Sequence, residues 1–154
     1  MNTQPPYKLG HVHLKVRDLD RAVSFYTRTF GLAISERVGD AYAFLTDGIV
    51  HHVVALQAVG ALAPDAPPHG VGLYHTAFEV SDKSAFAAAY VALLDAGERA
   101  VAVDHGISWA LYFSDPDGNG LEIYADTRGD AGDWAGLSRR LTHEEIIRAS
   151  GADH

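Results

Sequence analysis

An internal repeat constrains this chain more than any other feature. His11-Val-His-Leu-Lys-Val16 opens the first half and His75-Thr-Ala-Phe-Glu-Val80 opens the second, so both segments read His-x-x-Φ-x-Val, where Φ is a large apolar residue. In each half a tyrosine, Tyr26 or Tyr90, follows fifteen residues after the histidine. This repeat predicts two copies of one supersecondary unit, with two equivalent strands that present imidazoles in the same frame.

The first half has the pattern of a βαβββ unit. Apolar and polar residues alternate strictly over Gly10 to Val16, which predicts a strand with one apolar face and one polar face. Asp18 can cap a helix over about 19–30, and Gly31 can end it. Turn residues then separate three further predicted strands, which are Leu32 to Arg37, Tyr42 to Leu45 and Val50 to Gln57.

The same order recurs after a linker. Residues 59–71 contain three prolines and two glycines, which predicts an irregular connection. A strand over Leu73 to Val80 follows, then a helix over about 83–95 with Ser81 as its cap. Strands are predicted near 99–103, 107–114 and 120–125, and the last two are joined by the tight turn Asp115-Pro-Asp-Gly-Asn-Gly120.

The C-terminal tail lies outside the repeat. Residues 127–136 are predicted to be loose, and Thr142-His-Glu-Glu145 is a capping box that predicts a short helix over about 143–150. We therefore predict one α+β domain over 1–154, with module one at about 8–58, module two at about 72–126 and a tail at 127–154. The apolar residues between Trp134 and Ile147 could dock on a partner subunit or close the domain.

Composition restricts the partners. The formal net charge of -8 argues against nucleic acid and against an anionic membrane surface. The sequence has no apolar run near the roughly 18 residues of a membrane-spanning helix, and no signal segment opens it. Cysteine is absent, which excludes disulfides and thiolate metal sites. These observations predict a cytoplasmic protein that acts on a small molecule.

Three segments resemble the vicinal oxygen chelate superfamily. They are "LGHVHLKVRDLDRAVSFYTRTFGL", "YHTAFEV" and "DHGISWALYFSDPDGNGLEIY", and the resemblance extends over residues 8–126. The last segment is specifically similar to the extradiol ring-cleaving dioxygenases. The resemblance implies that the two βαβββ modules form a cupped, barrel-like mixed sheet around a metal site.

The resemblance assigns His11, His75 and Glu122 as the metal ligands. Two neutral imidazoles and one carboxylate leave three adjacent positions open on an octahedral metal, enough for two substrate oxygens and dioxygen. Fe(II) is the expected metal, and Mn(II), Ni(II) or Zn(II) could take its place. His13 shares the polar face with His11 and could exchange roles with it, but the repeat selects His11.

Three further residues match positions near the substrate in the dioxygenases. His51 and His52 are predicted to lie mid-strand and to face opposite sides. The segment His52-Val-Val-Ala-Leu56 resembles the dioxygenase segment that contains this histidine, and it selects His52 as the acid–base partner of bound oxygen. His105 is expected to hydrogen-bond a substrate oxygen, and Tyr112 to donate to activated oxygen. Tyr112 could instead have only a packing role.

The expected activity is that of an extradiol dioxygenase, which uses dioxygen to open a catechol-type ring in aromatic catabolism. Glyoxalases and epimerases of the superfamily need a fourth protein ligand where this chain has Ala55, although Gln57 keeps that chemistry open. The sequence is also compatible with a fosfomycin-type transferase and with a non-catalytic small-molecule binding module. A homo-oligomer is expected, with a dimer favoured, and the modules could pair within one chain or swap between chains.

Overall fold

The repeat is visible in the structure as two separate units. A computed structural model describes residues 6–131 and 136–151, so residues 1–5 and Trp134 lie outside the described residues. The backbone contacts divide the chain into Met1–Ala66 and Pro67–His154, and the boundary falls in the predicted linker. Each unit has a mixed sheet with helices, which confirms the predicted α+β class.

The first unit is built in the predicted βαβββ order. Its elements are β1 (Val12–Val16), α1 (Leu19–Phe30), β2 (Ala33–Val38), β3 (Tyr42–Thr46) and β4 (Val54–Ala58). The sheet order is β1-β4-β3-β2. β1 and β4 are parallel, and the other neighbours are antiparallel. The chain must therefore cross over from β1 to reach its parallel partner, and the crossover contains α1.

Helix α1 has the bounds that its capping residues predict. The Asp18 carboxylate accepts a hydrogen bond from the Arg21 backbone N–H at 2.9 Å. Gly31 ends the helix in the left-handed conformation that glycine adopts without strain, at φ 67°. The buried face of the helix carries Ala22, Phe25 and Tyr26, each at most 1% exposed. This face supplies much of the first unit's apolar core.

The second unit repeats the arrangement and extends it. Its elements are β5 (Thr76–Val80), α2 (Lys83–Asp95), β6 (Val101–Asp104), β7 (Ser108–Ser114), β8 (Gly120–Asp126), α3 (Arg128–Ala131), β9 (Arg139–Arg140) and α4 (His143–Ala149). The sheet order is β5-β8-β7-β6-β9, with β5 and β8 parallel. The tail thus adds the short strand β9 to the sheet, which sequence analysis missed.

Four local predictions were wrong. Residues 127–136 were predicted to be loose, but α3 covers Arg128–Ala131, and β5 begins at Thr76 and not at Leu73. Asp82, and not Ser81, caps α2, because its carboxylate accepts from the Ala85 N–H at 2.8 Å. Strand β4 begins at Val54 and not at residue 50, so His51 and His52 precede the strand. Asp47 Oδ1 accepts the N–H groups of Ile49 and Val50, and this turn occupies the residues that alternation assigned to the strand.

A close backbone approach joins β5 to β8. A Cβ atom on Gly120 would lie 2.1 Å from the Tyr74 carbonyl oxygen, which is less than any real contact allows. Only glycine lets the start of β8 come this near to the residue before His75. Gly120 therefore fixes the spacing of the two segments that carry His75 and Glu122.

Over the described residues, no helix has the length and apolar character that crossing a membrane requires.

Candidate metal centre

His75 and Glu122 are brought together by the parallel pairing of β5 and β8. His75 immediately precedes β5, and Ala77 lies opposite Glu122 in the pairing register. His75 Nε2 lies 2.8 Å from Glu122 Oε2. Glu122 is only 9% exposed, so its carboxylate is a buried acidic group with an imidazole neighbour. A buried carboxylate without a partner is costly, and imidazole and carboxylate groups together occur in metal ligand sets.

The geometry of this pair fits two adjacent metal ligands. Ligand atoms at about 2.1 Å from one metal ion and at a right angle to each other lie about 3 Å apart. The 2.8 Å between His75 Nε2 and Glu122 Oε2 matches that separation. His75 Nδ1 is buried and has no hydrogen-bond partner among the described residues. An imidazole and a carboxylate suit Fe, Mn, Ni and Zn ions.

Tyr112 lies directly beside this pair on the neighbouring strand. In the antiparallel register of β7 and β8, Tyr112 is opposite Glu122. Its ring centroid is 5.5 Å from that of His75. Burial, together with the Glu122 carboxylate, raises the pKa of Tyr112 to about 12. Tyr112 therefore keeps its proton at every physiological pH and remains a hydrogen-bond donor.

His105 is held against Tyr112 from the turn between β6 and β7. His105 Nε2 and the Tyr112 hydroxyl share a hydrogen bond of 2.9 Å, and His105 Nδ1 shares one of 2.6 Å with Ser138 Oγ. Sequence analysis identified His105 and Tyr112 but missed Ser138. No motif marks that serine, because it reaches the site only through the pairing of β9 with β6.

His11 and His52 come together in the first unit. Their ring centroids are 4.4 Å apart, and the Phe44 ring packs edge-on against His52 at 5.1 Å. The prediction that His51 and His52 face opposite sides was wrong. Both precede β4, and their Nδ1 atoms lie 2.8 Å apart. The other ring nitrogen of His51 is 3.5 Å from Glu36, which leaves His52 as the histidine beside His11.

The surroundings of His52 favour its neutral form. Burial lowers its pKa, and the neighbouring imidazoles of His11, His51 and His13 lower it further. A neutral imidazole at physiological pH can accept a proton. His11, His51 and His52 border a cavity of about 360 Å³ within the first unit, with Lys8 and Asp47 also on its wall.

The predicted triad draws on both units. His75 and Glu122 belong to the second unit and His11 to the first. Within each unit, over the residues described, no three His, Asp or Glu side chains are placed to hold one metal ion. The joint site of His11, His75 and Glu122 therefore stays a prediction. His13, which could exchange roles with His11 on the sequence pattern, is exposed on β1 and lies with its ring 6.1 Å from that of Tyr42.

Comparison with known proteins identifies the family. Residues 8–123 match the Glyoxalase/Bleomycin resistance protein/Dioxygenase superfamily. The chain belongs to this superfamily. The resemblance predicted from the three sequence segments is thereby confirmed.

Curated members of the superfamily include proteins of different activities. The chain is 34% identical over 119 residues to catechol-2,3-dioxygenase of Bacillus subtilis (strain 168), covering 77% of this chain and 41% of that protein. It is 36% identical over 121 residues to biphenyl-2,3-diol 1,2-dioxygenase 3 of Rhodococcus globerulus, covering 77% and 63%. Metallothiol transferase FosB of Shouchella clausii (strain KSM-K16) is 30% identical over 146 residues, covering 89% and 86%. The chain thus spans less than two thirds of both dioxygenases.

Solved structures of the superfamily share the fold. The glyoxylase/bleomycin resistance protein/dioxygenase domain from Frankia sp. EAN1pec matches with a TM-score of 0.66 at 23% identity, covering 81% of this chain and 96% of that one. At this level of identity the match concerns the fold alone. It agrees with the α+β architecture of the two βαβββ units.

The position that sequence analysis compared with a fourth superfamily ligand carries no donor atom. Ala55 is 1% exposed and lies on the same face of β4 as Gln57. The Gln57 amide donates to the Tyr42 hydroxyl at 3.2 Å. Because β4 presents no carboxylate on this face, it offers no charged fourth ligand.

Proposed function

We propose that this protein is an extradiol dioxygenase that opens the ring of a catechol-type aromatic diol at a mononuclear Fe(II) site. One observation carries the proposal. The second unit places an imidazole and a carboxylate 2.8 Å apart, with a protonated tyrosine and a second histidine hydrogen-bonded beside them. A pair of ligands next to two hydrogen-bond donors suits a metal that binds an oxygen-rich substrate together with dioxygen.

In this proposal His75, Glu122 and His11 hold the metal. His11 comes from the first unit of the same chain or of a second copy. Fe(II) held by these residues would bind the diol and dioxygen together and allow electrons to pass between them. The same donor set also accepts Mn(II), Ni(II) and Zn(II). The 2.8 Å contact between His75 Nε2 and Glu122 Oε2 brings the two ligand atoms together before the metal arrives.

The remaining site residues accept a proton, donate a hydrogen bond or orient the donor. His52, whose pKa is lowered by burial and neighbouring imidazoles, accepts the proton of a diol hydroxyl. Tyr112 keeps its proton and donates to developing negative charge on oxygen, which is the role of a preorganised donor. His105 orients the Tyr112 hydroxyl through their 2.9 Å hydrogen bond.

The experiment is a ring-cleavage assay under air. Protein loaded with Fe(II) in the absence of oxygen is mixed with catechol and with alkyl- and aryl-substituted catechols in air-saturated buffer. A yellow ring-opened product and uptake of one O2 per diol are expected. If no diol is converted while the iron stays bound, the dioxygenase proposal is wrong.

A metallothiol transferase is the second candidate. The chain covers 86% of the length of the FosB protein that it resembles, against 41% and 63% of the two dioxygenases. The same three ligands would then hold a divalent metal, and the substrate would be fosfomycin with a low-molecular-weight thiol. Such a reaction consumes no oxygen. Thiol-adduct formation in an anaerobic assay with Mn(II) would select this candidate over the dioxygenase.

A further inference from the structure

Two adjacent histidines of the first unit bring their ring nitrogens together. His51 Nδ1 and His52 Nδ1 lie 2.8 Å apart, although neighbouring residues on a strand face opposite sides. Both histidines precede β4, in a segment that does not have strand geometry. The pair therefore presents two imidazole nitrogens at one place, and imidazole nitrogens are common metal ligands.

The separation of the two Nδ1 atoms is close to that of two ligands of one metal ion. Zinc binds histidine nitrogens at about 2.0–2.1 Å, and two such nitrogens at a right angle lie about 3 Å apart. The 2.8 Å between His51 Nδ1 and His52 Nδ1 is nearly this separation. The proton that the two nitrogens share would be released to solvent when a metal ion takes its place.

Hydrogen bonds on both sides of the pair fix its backbone. Before the pair, Asp47 Oδ1 accepts the N–H groups of Ile49 and Val50 at 2.9 and 3.2 Å. After the pair, the Val53 N–H donates to the Leu45 carbonyl at 2.8 Å. The two histidines thus lie between two anchored points of the chain. Ligands that are positioned in advance lose less conformational entropy when an ion binds.

Side chains from two neighbouring strands support the rings. The Phe44 ring centroid lies 5.1 Å from that of His52 and 6.3 Å from that of His51. Glu36 Oε2 lies 3.5 Å from His51 Nε2, the nitrogen that faces away from His52. Metal-binding histidines commonly have a carboxylate beside the nitrogen that does not bind the ion. Glu36 occupies this outer position for His51.

The surroundings of the pair are open to a hydrated cation. The His51 side chain is 61% exposed, and both histidines border the cavity of about 360 Å³ that also has Lys8 and Asp47 on its wall. Over the described residues, no third His, Asp or Glu side chain is placed to complete the pair, so water would supply the other ligands. Imidazole donors favour Cu(II), Ni(II) and Zn(II), and the formal net charge of -8 attracts cations.

We propose that His51 and His52 form a second metal site, which binds Zn(II), Cu(II) or Ni(II) in addition to the ion expected at His11, His75 and Glu122. A neutral imidazole has one unprotonated nitrogen, so an ion bound there leaves His52 no atom that can accept a proton. Occupation of the second site therefore inhibits the reaction. This inhibition rests on the proposed dioxygenase function, whereas the metal site itself does not.

The binding test is equilibrium dialysis of the full-length protein against excess Zn(II), followed by elemental analysis. The variant is His51→Gln, which removes one of the two nitrogens at an exposed position. We expect it to retain one zinc ion fewer per chain than the unaltered protein. Equal zinc contents of the two proteins would overturn the proposal.

His69→Gln is the matched control, because His69 is an exposed histidine of the linker. It removes one surface imidazole and should leave the zinc content unchanged. If His69→Gln lost as much zinc as His51→Gln, the zinc would be bound to surface histidines in general, and the second site would be wrong.

A kinetic arm tests the inhibition. Each Fe(II)-loaded protein is titrated with Zn(II) while catechol cleavage is followed, and its rate is compared with its own rate without zinc. Saturating zinc should lower the rate of the unaltered protein about 100-fold, the contribution of a general base. His51→Gln should keep its rate over the same zinc range, with the iron content measured in every sample.

The outcomes of the two arms are separable. If zinc only displaced iron from the first site, both proteins would lose iron and activity equally, and the inhibitory role would be wrong. Zinc that binds through His51 and leaves the rate unchanged would also contradict that role. If even the unaltered protein cleaves no diol, the dioxygenase proposal fails, and the dialysis still decides whether the second site exists.

Discussion

At the scale of single residues, Glu122 is a buried carboxylate with two close neighbours. Its Oε2 lies 2.8 Å from His75 Nε2, and Tyr112 lies opposite it on the adjacent strand. Replacing it with the isosteric amide keeps its shape and removes its charge. We expect Glu122→Gln to weaken binding of Fe(II) or Mn(II) at least about 100-fold, measured as metal retained per chain after dialysis.

The control for this change is Glu79→Gln. Glu79 lies on β5 in the same unit, and its exposed carboxylate accepts from the Tyr124 hydroxyl at 3.1 Å. Its replacement should leave the metal content unaltered. Equal metal retention by the Glu122 and Glu79 variants would remove Glu122 from the ligand set.

Tyr112 is expected to act in the reaction and not in metal binding. Tyr112→Phe removes the hydroxyl that burial keeps protonated, and kcat for catechol cleavage should fall about 100-fold while the metal stays bound. Tyr124→Phe is the comparison, because burial also raises the pKa of that tyrosine but its hydroxyl pairs with Glu79. Steady-state oxygen uptake measures both variants. If Tyr112→Phe and Tyr124→Phe had the same kcat, the Tyr112 hydroxyl would have no part in the reaction and the residue would have only a packing role.

Gly120 is expected to tolerate no side chain. In Gly120→Ala the new Cβ would meet the Tyr74 carbonyl oxygen at 2.1 Å, so β5 must move away from β8. We expect a loss of about 2–3 kcal/mol in the free energy of unfolding. Gly72→Ala, where the Cβ has open space, should change little. Urea denaturation of the two variants makes the comparison, and a Gly120 variant as stable as the Gly72 variant would refute the steric argument.

At the scale of elements, sequence pattern predicted α1, α2, α4 and most strands because their signals are local, but it missed α3. Asp18 and Gly31 bound α1 as predicted, since each acts within one turn of the helix. The strand assigned to residues 50–57 was wrong at its start, because alternation cannot reveal that the Asp47 side chain holds a turn. Strand β9 has only two residues and forms through long-range pairing alone.

The same distinction applies to the candidate site. His11, His75 and Glu122 could be selected from the repeat and from resemblance, and the structure brings His75 and Glu122 into contact. The relation of His52 to its neighbour could not be derived, because it depends on the turn before β4. Ser138 carries no sequence signal, since a serine in a loose tail acquires a role only when the tail pairs with β6.

The stability that the C-terminal tail gives the second unit is expected to depend on pH. Hydrogen bonds from the Thr142 backbone and from Arg139 lower the pKa of Glu145 below its ordinary 4.5. A carboxyl group whose pKa is depressed by folding contributes stability above its unfolded pKa and loses that stability as the pH falls through its folded pKa. The stabilisation from Glu145 should therefore be complete near neutral pH and disappear below about pH 4.

Glu145→Gln tests this dependence. The variant should be less stable than the unaltered protein at pH 7, and the difference should vanish as the pH approaches 3. Thermal unfolding at a series of pH values gives the measurement. Glu144→Gln, on the same helical turn, is the comparison and should show no such convergence. If the difference in thermal stability between the Glu145 variant and the unaltered protein stayed constant with pH, the stabilisation would not come from the charge of Glu145.

At the scale of the whole molecule, exposed apolar residues predict self-association. Leu9 is 85% exposed next to the His11 segment, and Leu73 and Tyr74 are 68% and 86% exposed next to His75. Large apolar side chains in such places favour burial by another protein surface. We expect a dimer in sedimentation analysis, and the double variant Leu9→Asp, Leu73→Asp should shift it toward monomer.

Leu62→Asp is the control for this experiment. Leu62 is 99% exposed but lies in the linker, away from both histidine segments. The control should sediment like the unaltered protein. A protein that is monomeric without any substitution would exclude the predicted dimer.

The Asp115–Gly120 turn imposes a limit on length. Asp115 Oδ1 accepts the N–H groups of Asp117 and Asn119, and this turn sets β7 and β8 in the register that pairs Tyr112 with Glu122. Side chains alternate between faces along a strand, so a slip of one residue would turn Tyr112 away from Glu122. A substitution between Asp115 and Gly120 can leave this register unchanged, but an insertion or deletion of one residue cannot. Natural variants that keep this chemistry should therefore conserve the ten-residue interval between the tyrosine and the glutamate, even where the intervening residues diverge.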